Sequence, residues 1–340
     1  MLKKLSPAEK VSILLDQYAA AIKDAFLQTI RDIRASIILR MFVNRVEARD
    51  YAGALEALNL EPAMFNPVLD EVAKAYSGGG NSTISSLPPI NDPDGFRINL
   101  LFDARNPTAE LWLRTYSARL VADIVEDQKR SVRDAITKGI ASGLSALAIA
   151  QWILGRRGAD GIRTGGIIGL TFTQVQWVAA YRDELMSGSA GALTRNLRDR
   201  RYDKAIRAAI ADEKPVPMAL VDNAVTAYQN RALTFRAEAI GRTEALAGVN
   251  AGGREAIRQL DASRKVNPGL VFKQWQSMED DRVRHTHVDL NGRVIRFDEP
   301  FISQRGNRMM HPGDRSLGAG PEDWVNCRCV ALYTLDGKRR

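Results

Sequence analysis

Cysteine and histidine are scarce in this chain of 340 residues, which contains two cysteines and three histidines. All of them lie near the C-terminus, as His285, His287, His311, Cys327 and Cys329. The 284 residues before His285 therefore offer no soft side-chain ligand for a metal. This segregation predicts that the C-terminal part of the chain is a small domain with a chemistry of its own.

Long apolar segments are also missing. No run of about 18 apolar residues occurs, which excludes a transmembrane helix of the usual kind. The N-terminal segment has two early lysines, but Glu9, Lys10 and Asp16 interrupt its apolar stretch and no small-residue cleavage site follows. We therefore expect no signal peptide, synthesis in the cytoplasm, and thiols that stay reduced.

The positive charge is concentrated in the middle of the chain. Residues 111–270 carry 24 basic and 16 acidic side chains, whereas residues 1–110 carry 12 and 14 and residues 271–340 carry 12 and 10. Most of the cations in the middle segment are arginines, which suit phosphate and carboxylate recognition. An ordinary solvated helical surface explains the same composition, and nonspecific contact with DNA remains the alternative.

Periodicity predicts an α+β protein, with a mostly helical N-terminal and middle body and a small C-terminal mixed domain that contains a β-hairpin and a short sheet. A capping box at Ser6–Glu9 opens the first helix. We expect four regions along the chain: an N-terminal helical region 1–76, a linker or long loop 77–107, a basic helical domain 108–260, and the small mixed domain 261–340.

Several local predictions accompany this division. Glycine, serine and proline cluster in 77–107, which is why we expect a linker there. A second glycine-rich stretch, 155–169, matches neither common phosphate-binding motif and is interpreted as a flexible connector. In the C-terminal domain, 282–288 and 294–297 flank Asn291-Gly292, the sequence typical of a tight hairpin. Residues 271–277 and 324–335 are further predicted strands.

The soft ligands come in two pairs, an H-x-H of His285 and His287 and a C-x-C of Cys327 and Cys329. On an extended strand, residues i and i+2 point to the same face, so each pair can converge. These four residues are the candidate ligands of a zinc ion. The spacing also suits buried reduced thiols and hydrogen-bonded histidines, because zinc knuckles usually have C-x2-C and a C-x-C disulfide is strained.

Short motifs stand in a fixed order between residues 169 and 333. They are Gly169-Leu170-Thr171 with Gln174, Arg242-Thr243-Glu244 with Asn250 and Gly252, Trp275 to Gly292, Pro312-Gly313-Asp314, and Asn326 to Cys329. Together they resemble the phage Mu F-like head-morphogenesis family of minor capsid proteins. The family-motif residues that match are Arg242, Thr243, Glu244, Trp275, Asp280, Arg282, His287, Gly292, Asn326, Cys327, Arg328 and Cys329, all expected to be structural rather than catalytic.

The resemblance implies a virion component made in the host cytoplasm and located in the head interior or at the portal vertex. It implies partnership with the portal protein and with capsid or scaffolding proteins, possible nonspecific contact with packaged DNA, and no membrane association. His285 and His311 do not map to the family pattern, so the expectation is no cofactor, with zinc as the alternative.

A second hypothesis is an enzyme, such as a nucleotide-dependent transferase or a nuclease, that uses the region of Arg242, Glu244 and His287. Here Glu244 acts as a general base, and Arg242 and Arg282 hold an anionic group. The structural interpretation of the same residues is a buried Arg242–Glu244 ion pair that links the helical body to the sheet. We favour the structural interpretation over catalysis.

Overall fold

The computed structural model describes residues 5–89, 97, 99–158, 161–263, 271–278 and 283–335. Helices dominate these residues, and no helix among them is both long and apolar enough to cross a membrane. The α-helices are α1 (Pro7–Ser36), α2 (Leu39–Glu47), α3 (Tyr51–Glu56), α4 (Asn66–Ser86), α5 (Pro107–Ala141), α6 (Ala146–Leu154), α7 (Phe172–Met186), α8 (Asp203–Ala211), α9 (Met218–Ala262), α10 (His285–Val288) and α11 (Pro321–Trp324).

The strands are short, and the longest lie near the C-terminus. Their bounds are β1 (Arg156–Arg157), β2 (Arg163–Thr164), β3 (Phe272–Gln276), β4 (Val294–Arg296), β5 (Phe301–Ile302), β6 (Arg308–Met309) and β7 (Val330–Thr334). An antiparallel sheet has the order β4-β3-β7, with Lys273 opposite both Ile295 and Tyr333. Strands β1 and β2 form one antiparallel pair, and β5 and β6 form another. The predicted α+β class is confirmed.

The predicted hairpin paired residues 282–288 with 294–297, and its first strand is wrong. Strand β4 pairs with β3, and residues 285–288 form the short helix α10 instead of a strand. Gly292 adopts a φ of 72° and donates its backbone N–H to the Trp275 carbonyl at 2.8 Å, so the turn signal is real. The predicted strand 324–335 is also shorter, because α11 covers residues up to Trp324 and β7 begins at Val330.

The glycine run within the predicted linker is helical. Residues 77–86 belong to α4, and the reason is a close approach of the α4 and α9 backbones. A Cβ added at Gly79 would lie 2.1 Å from the Val249 carbonyl oxygen, and one at Gly252 would lie 1.8 Å from that of Tyr76. Only glycine permits such contact, so this cluster marks a helix–helix crossing rather than a loop.

The chain forms two compact units, each made of segments that are separate in sequence. The first unit comprises Met1–Ala25, Pro67–Ser117 and Glu238–Arg340, and the second comprises Phe26–Asn66 and Ala118–Ala237. Helices α1, α5 and α9 each contribute residues to both units. Whether the four predicted regions fold independently stays a prediction.

In the second unit, residues 165–170 are buried, so this end of the predicted connector 155–169 is held in the fold and is not a flexible link. Arg236 donates to the Gly169 carbonyl at 3.0 Å, and Gln128 accepts from the Gly169 N–H at 2.7 Å. Arg34 donates to the Ile168 carbonyl at 2.5 Å. Burial lowers the pKa of both arginines to about 10, because a low-dielectric environment disfavours their charge.

Helix α7 of the second unit begins with a complete capping box. The Thr171 hydroxyl accepts from the Gln174 N–H at 3.1 Å, and the Gln174 side chain accepts from the Thr171 N–H at 3.0 Å. The Gln174 amide also donates to the Ala232 carbonyl of α9 at 2.9 Å. The Gly-Leu-Thr-x-x-Gln motif is thus explained by helix initiation and packing.

In the first unit, the three-stranded sheet packs beside the C-terminal part of α9. Trp275 is fully buried in β3, and the surrounding cluster includes Leu246 of α9 and Phe301 of β5. Asn250 of α9 accepts from the Ala331 N–H of β7 at 2.9 Å and so joins helix to sheet. This framework positions the residues of the candidate site.

Candidate functional site

His287 lies at the centre of a buried group of polar side chains in the first unit. It stands on α10, whose preceding residue Arg284 donates to the backbone carbonyls of Asp323 and Val325. These bonds hold the chain after α11 against α10. His287 is 1% exposed, so its imidazole has been removed from solvent.

Cys327 and Cys329 face His287 from the segment between α11 and β7. The Cys327 Sγ lies 3.6 Å and the Cys329 Sγ 3.7 Å from the His287 Nδ1. Both thiols are buried, whereas Arg328 between them is half-buried. This alternation is that of an extended segment, and the expected convergence of the C-x-C pair is therefore found.

Asp323 lies on the other side of the imidazole. Its Oδ1 is 3.3 Å from the His287 Nε2, within ion-pair range but outside hydrogen-bond alignment. Its Oδ2 accepts from the Ser303 hydroxyl at 2.7 Å and from the Asn307 amide at 2.7 Å. Burial raises the pKa of Asp323, but these hydrogen bonds and His287 together outweigh it, so the net shift of this pKa is downward.

The two thiols titrate as a pair. A hydrogen bond from the Cys329 thiol lowers the pKa of Cys327 well below its ordinary value, with His287 adding to the effect against the cost of burial. The same hydrogen bond and burial raise the pKa of Cys329. The pKa values of the two thiols therefore shift in opposite directions, because the hydrogen bond between them couples their titration.

Aromatic side chains enclose the group. The Trp275 ring meets the His287 ring edge-on, with centroids 5.1 Å apart and an interplanar angle of 76°. The Trp275 and Phe301 rings have the same separation and angle. Burial beside aromatic rings lowers the local dielectric constant and strengthens electrostatic interactions, so the charge of the thiols depends strongly on neighbouring charges.

The other two histidines lie elsewhere. His285 is exposed on α10, and the helical turn, rather than an extended strand, directs it away from His287. His311 is buried, its Nδ1 lies 3.0 Å from the Pro312 carbonyl oxygen, and burial lowers its pKa. Of the four predicted zinc ligands, the structure brings together His287, Cys327 and Cys329, whose ligand atoms all lie within 4.8 Å of one another.

Sequence reasoning missed Asp323, Ser303 and Asn307. Asp323 is completely buried and accepts both hydrogen bonds, yet it lies in a short acidic stretch that looks like a solvated turn. The one sequence signal for Asp323 is its closeness to the C-x-C pair, since it lies four residues before Cys327. Two predicted motif residues, Asp280 and Arg282, lie outside the residues that the structure describes.

The Arg242–Glu244 ion pair is not formed. Arg242 is exposed, lies 4.0 Å from Glu238, and donates to the Asn326 side chain at 3.1 Å. Glu244 is buried and accepts from the Tyr116 hydroxyl at 2.6 Å. Residues i and i+2 point to different sides of an α-helix, which is why the predicted pair cannot meet on α9.

Thr243 and Asn326 connect the helix motif to the cysteine motif. The Asn326 N–H donates to the Thr243 hydroxyl at 3.0 Å, and Asn326 has a φ of 55°. This left-handed conformation is one that asparagine tolerates better than most residues. The Arg-Thr-Glu and Asn-Cys-Arg-Cys motifs therefore meet in one local structure.

Residues 130–332 match the protein family described as phage Mu protein F like protein. The chain belongs to this family. The match contains every motif residue discussed above and confirms the resemblance derived from them. Residues 1–129 lie outside it.

Three curated proteins share parts of the sequence. The minor head protein GP7 of Bacillus phage SPP1 is 36% identical over 90 residues, 26% of this chain and 27% of that protein. The NAD(+)–arginine ADP-ribosyltransferase EFV of Enterococcus faecalis is 29% identical over 157 residues, 46% of this chain and 27% of that protein. The uncharacterized protein YqbB of Bacillus subtilis is 33% identical over 106 residues, which are 30% of this chain and 32% of that protein.

The chain thus spans about a quarter to a third of the length of the curated relatives it matches. No solved structure matches the chain. The names of these relatives differ: one is a minor head protein, one is an ADP-ribosyltransferase and one is uncharacterized.

Proposed function

We propose that this protein is a minor head protein that acts in phage capsid assembly and becomes part of the virion. The observation that carries the proposal is family membership over residues 130–332, with the identity to a phage minor head protein in support. Several of the described motif residues contact one another: Asn326 binds Arg242 and Thr243, and His287 lies beside Cys327 and Cys329. In this proposal the protein acts as a structural component of the phage head.

The partner in this proposal is the portal vertex, with capsid or scaffolding proteins around it. Support comes from two exposed apolar side chains at the start of α2, which lies outside the family match. Ile38 and Met41 are 64% and 47% exposed. Residues three apart lie on one side of a helix, so these two side chains can belong to one apolar patch, and it is contiguous patches of this kind that another protein covers.

Co-expression with the portal and major capsid proteins from the same genome tests this assignment. We expect the protein to co-sediment with portal-containing particles, and Ile38→Asp with Met41→Asp to weaken that association. Leu147→Asp is the matched control, since Leu147 is 48% exposed on α6. Normal particles that lack the protein would contradict the proposal.

Contact with packaged DNA is the second part of the proposal. Lys204 and Arg207 are exposed at i and i+3 on α8, and Arg200 is exposed just before it. Cations at this spacing lie on one side of a helix and suit a phosphate backbone without reading its sequence.

The test is the salt dependence of binding to duplex DNA of arbitrary sequence. Changing Arg200, Lys204 and Arg207 to glutamine should lower the slope of log K against log salt by about 0.9 for each lost phosphate contact. The control changes three exposed arginines of the C-terminal region, Arg293, Arg305 and Arg308. Equal slopes in both variants would contradict a DNA-contacting α8.

The enzyme hypothesis has less support. The relative with an enzymatic name shares 27% of its length with this chain, which leaves most of that protein outside the comparison. Glu244 and His287 are 3% and 1% exposed and face different partners. A general base needs access to a substrate proton, which neither side chain has in this conformation.

A further inference from the structure

We propose that His287, Cys327 and Cys329 bind one zinc ion in the folded protein, through Nδ1 of the histidine and Sγ of each cysteine. The ion joins α10 to the segment before β7, which are about 40 residues apart in sequence. The proposal concerns the folded chain alone and does not depend on the role in head assembly.

Spacing of the ligand atoms is the first argument. Zinc–sulfur bonds of about 2.3 Å and zinc–nitrogen bonds of about 2.0 Å at tetrahedral angles put N and S about 3.5 Å apart. The observed separations from the His287 Nδ1 are 3.6 Å and 3.7 Å. Both sulfurs therefore lie at the distance from Nδ1 that a shared zinc ion would set, and the three ligand atoms all lie within 4.8 Å of one another.

The far side of the imidazole supplies the second argument. Histidines that bind a metal through one nitrogen usually have a carboxylate, carbonyl or water at the other. Asp323 Oδ1 occupies that position, 3.3 Å from Nε2. Ser303 and Asn307 each fix the Asp323 carboxylate with a bond of 2.7 Å. A negative charge on this side favours a proton on Nε2, which leaves the Nδ1 lone pair directed at the sulfurs.

Charge is the third argument. Cys327 and Cys329 are 4% and 1% exposed, and two thiolates in such a site repel each other strongly unless a cation lies between them. A Zn²⁺ ion balances two thiolates, and binding releases each thiol proton still present. Sulfur and imidazole ligands select zinc over magnesium or calcium, which prefer oxygen.

A fourth position remains for a ligand that is not a protein side chain. Among the described residues, no further histidine, cysteine, aspartate or glutamate joins the group of three. Three protein ligands with an open fourth position is an arrangement that zinc accepts with water. The proposed site thus differs from a closed finger with four protein ligands.

Elemental analysis of the full-length protein, purified without chelator from cells grown with zinc, tests the proposal. We expect about one zinc per chain for the wild-type protein and for His285→Ala, the control on the same short helix. Cys327→Ser and Cys329→Ser should each lose most of it. Less than about one-tenth zinc per folded wild-type chain, or a different metal at full occupancy, would overturn the proposal.

A second measurement guards against variants that fail to fold. The wild-type protein is freed of metal and titrated with Co²⁺, which replaces zinc and reports thiolate ligation by charge-transfer absorption in the near ultraviolet. We expect this absorption to saturate at one equivalent of cobalt and to disappear when zinc is added in excess. A folded protein that shows no such absorption contradicts thiolate ligation, whatever the variants do.

Discussion

Lys273 allows a quantitative test of the C-terminal sheet. The residue lies in the middle of β3, is fully buried, and donates from Nζ to the Met310 carbonyl at 2.8 Å. Burial, with a smaller contribution from Arg254, lowers the pKa of Lys273 from 10.5 to about 7. Asp314, Asp298 and Glu299 oppose this shift without cancelling it.

The direction of the effect follows from proton binding. Between pH 7 and 10.5 the unfolded chain holds the lysine proton more tightly than the folded chain, so raising the pH stabilises the fold. At about 1.4 kcal/mol per pKa unit, the full penalty of charging Lys273 is about 5 kcal/mol. The same relation predicts that about 2 kcal/mol of it is relieved between pH 7 and pH 9.

Lys273→Met should remove this dependence. At pH 7 the variant gains about 4 kcal/mol of relieved charge burial and loses about 1–3 kcal/mol because the Met310 carbonyl becomes unsatisfied. We therefore expect a net stabilisation of about 1–3 kcal/mol at pH 7 and almost none at pH 9. Groups that titrate in both proteins cancel in the comparison.

Urea unfolding followed by tryptophan fluorescence at pH 7, 8 and 9 measures the difference, provided that the slopes m agree between the proteins. Lys204→Met is the matched control, because Lys204 is exposed on α8. The reasoning is refuted if wild type and Lys273→Met change in stability by the same amount between pH 7 and pH 9.

Four further substitutions test a helix crossing, a helix cap and two side chains of α9. Gly252→Ala should destabilise the fold by about 1–3 kcal/mol through overpacking against α4, while the exposed α4 control Asn81→Ala stays within about 0.5 kcal/mol; equal melting of the two would disprove the close crossing. Thr171→Ala should cost about 1 kcal/mol by removing the cap of α7, measured by thermal unfolding, and an unchanged midpoint would count against the capping box. Arg242→Ala should lower the free energy of unfolding by at most about 1 kcal/mol, because its ion pair with Glu238 is exposed. Glu244→Ala should lower it more in the same thermal melts, because Glu244 is buried and hydrogen-bonded. A larger loss for Arg242→Ala would contradict the exposed position of Arg242.

The periodicity of the sequence is sufficient to predict the α+β class and the convergence of Cys327 and Cys329. The alternation of Cys327, Arg328 and Cys329 survives in the fold because an extended segment has a repeat of two residues whatever it packs against. The H-x-H pair has the same spacing, but residues 285–288 form one helical turn that separates His285 from His287. Short polar segments are ambiguous in this way, since tertiary contacts decide their conformation.

The glycine run in α4 shows a second limit. Glycine clusters usually mark loops, because the residue is flexible and a poor helix former. Here Gly79 and Gly252 are required by the distance between two helices, a property of the assembled fold and not of either segment. The buried segment around Gly169 was misinterpreted for the same reason, since its hydrogen-bond partners come from elements distant in sequence.

Asn326 explains why motifs that are far apart in sequence occur together. Its left-handed φ of 55° turns the chain immediately before Cys327, and two neighbouring residues of α9 bind it. Thr243 accepts the Asn326 N–H, and Arg242 donates to its side chain. Without this anchor the turn has no fixed direction, and the two sulfurs lose their common orientation toward His287. Arg242 and Thr243 therefore influence the position of Cys327 and Cys329 through Asn326. A substitution of Asn326 should change the orientation of the two thiols toward His287 while leaving α9 helical.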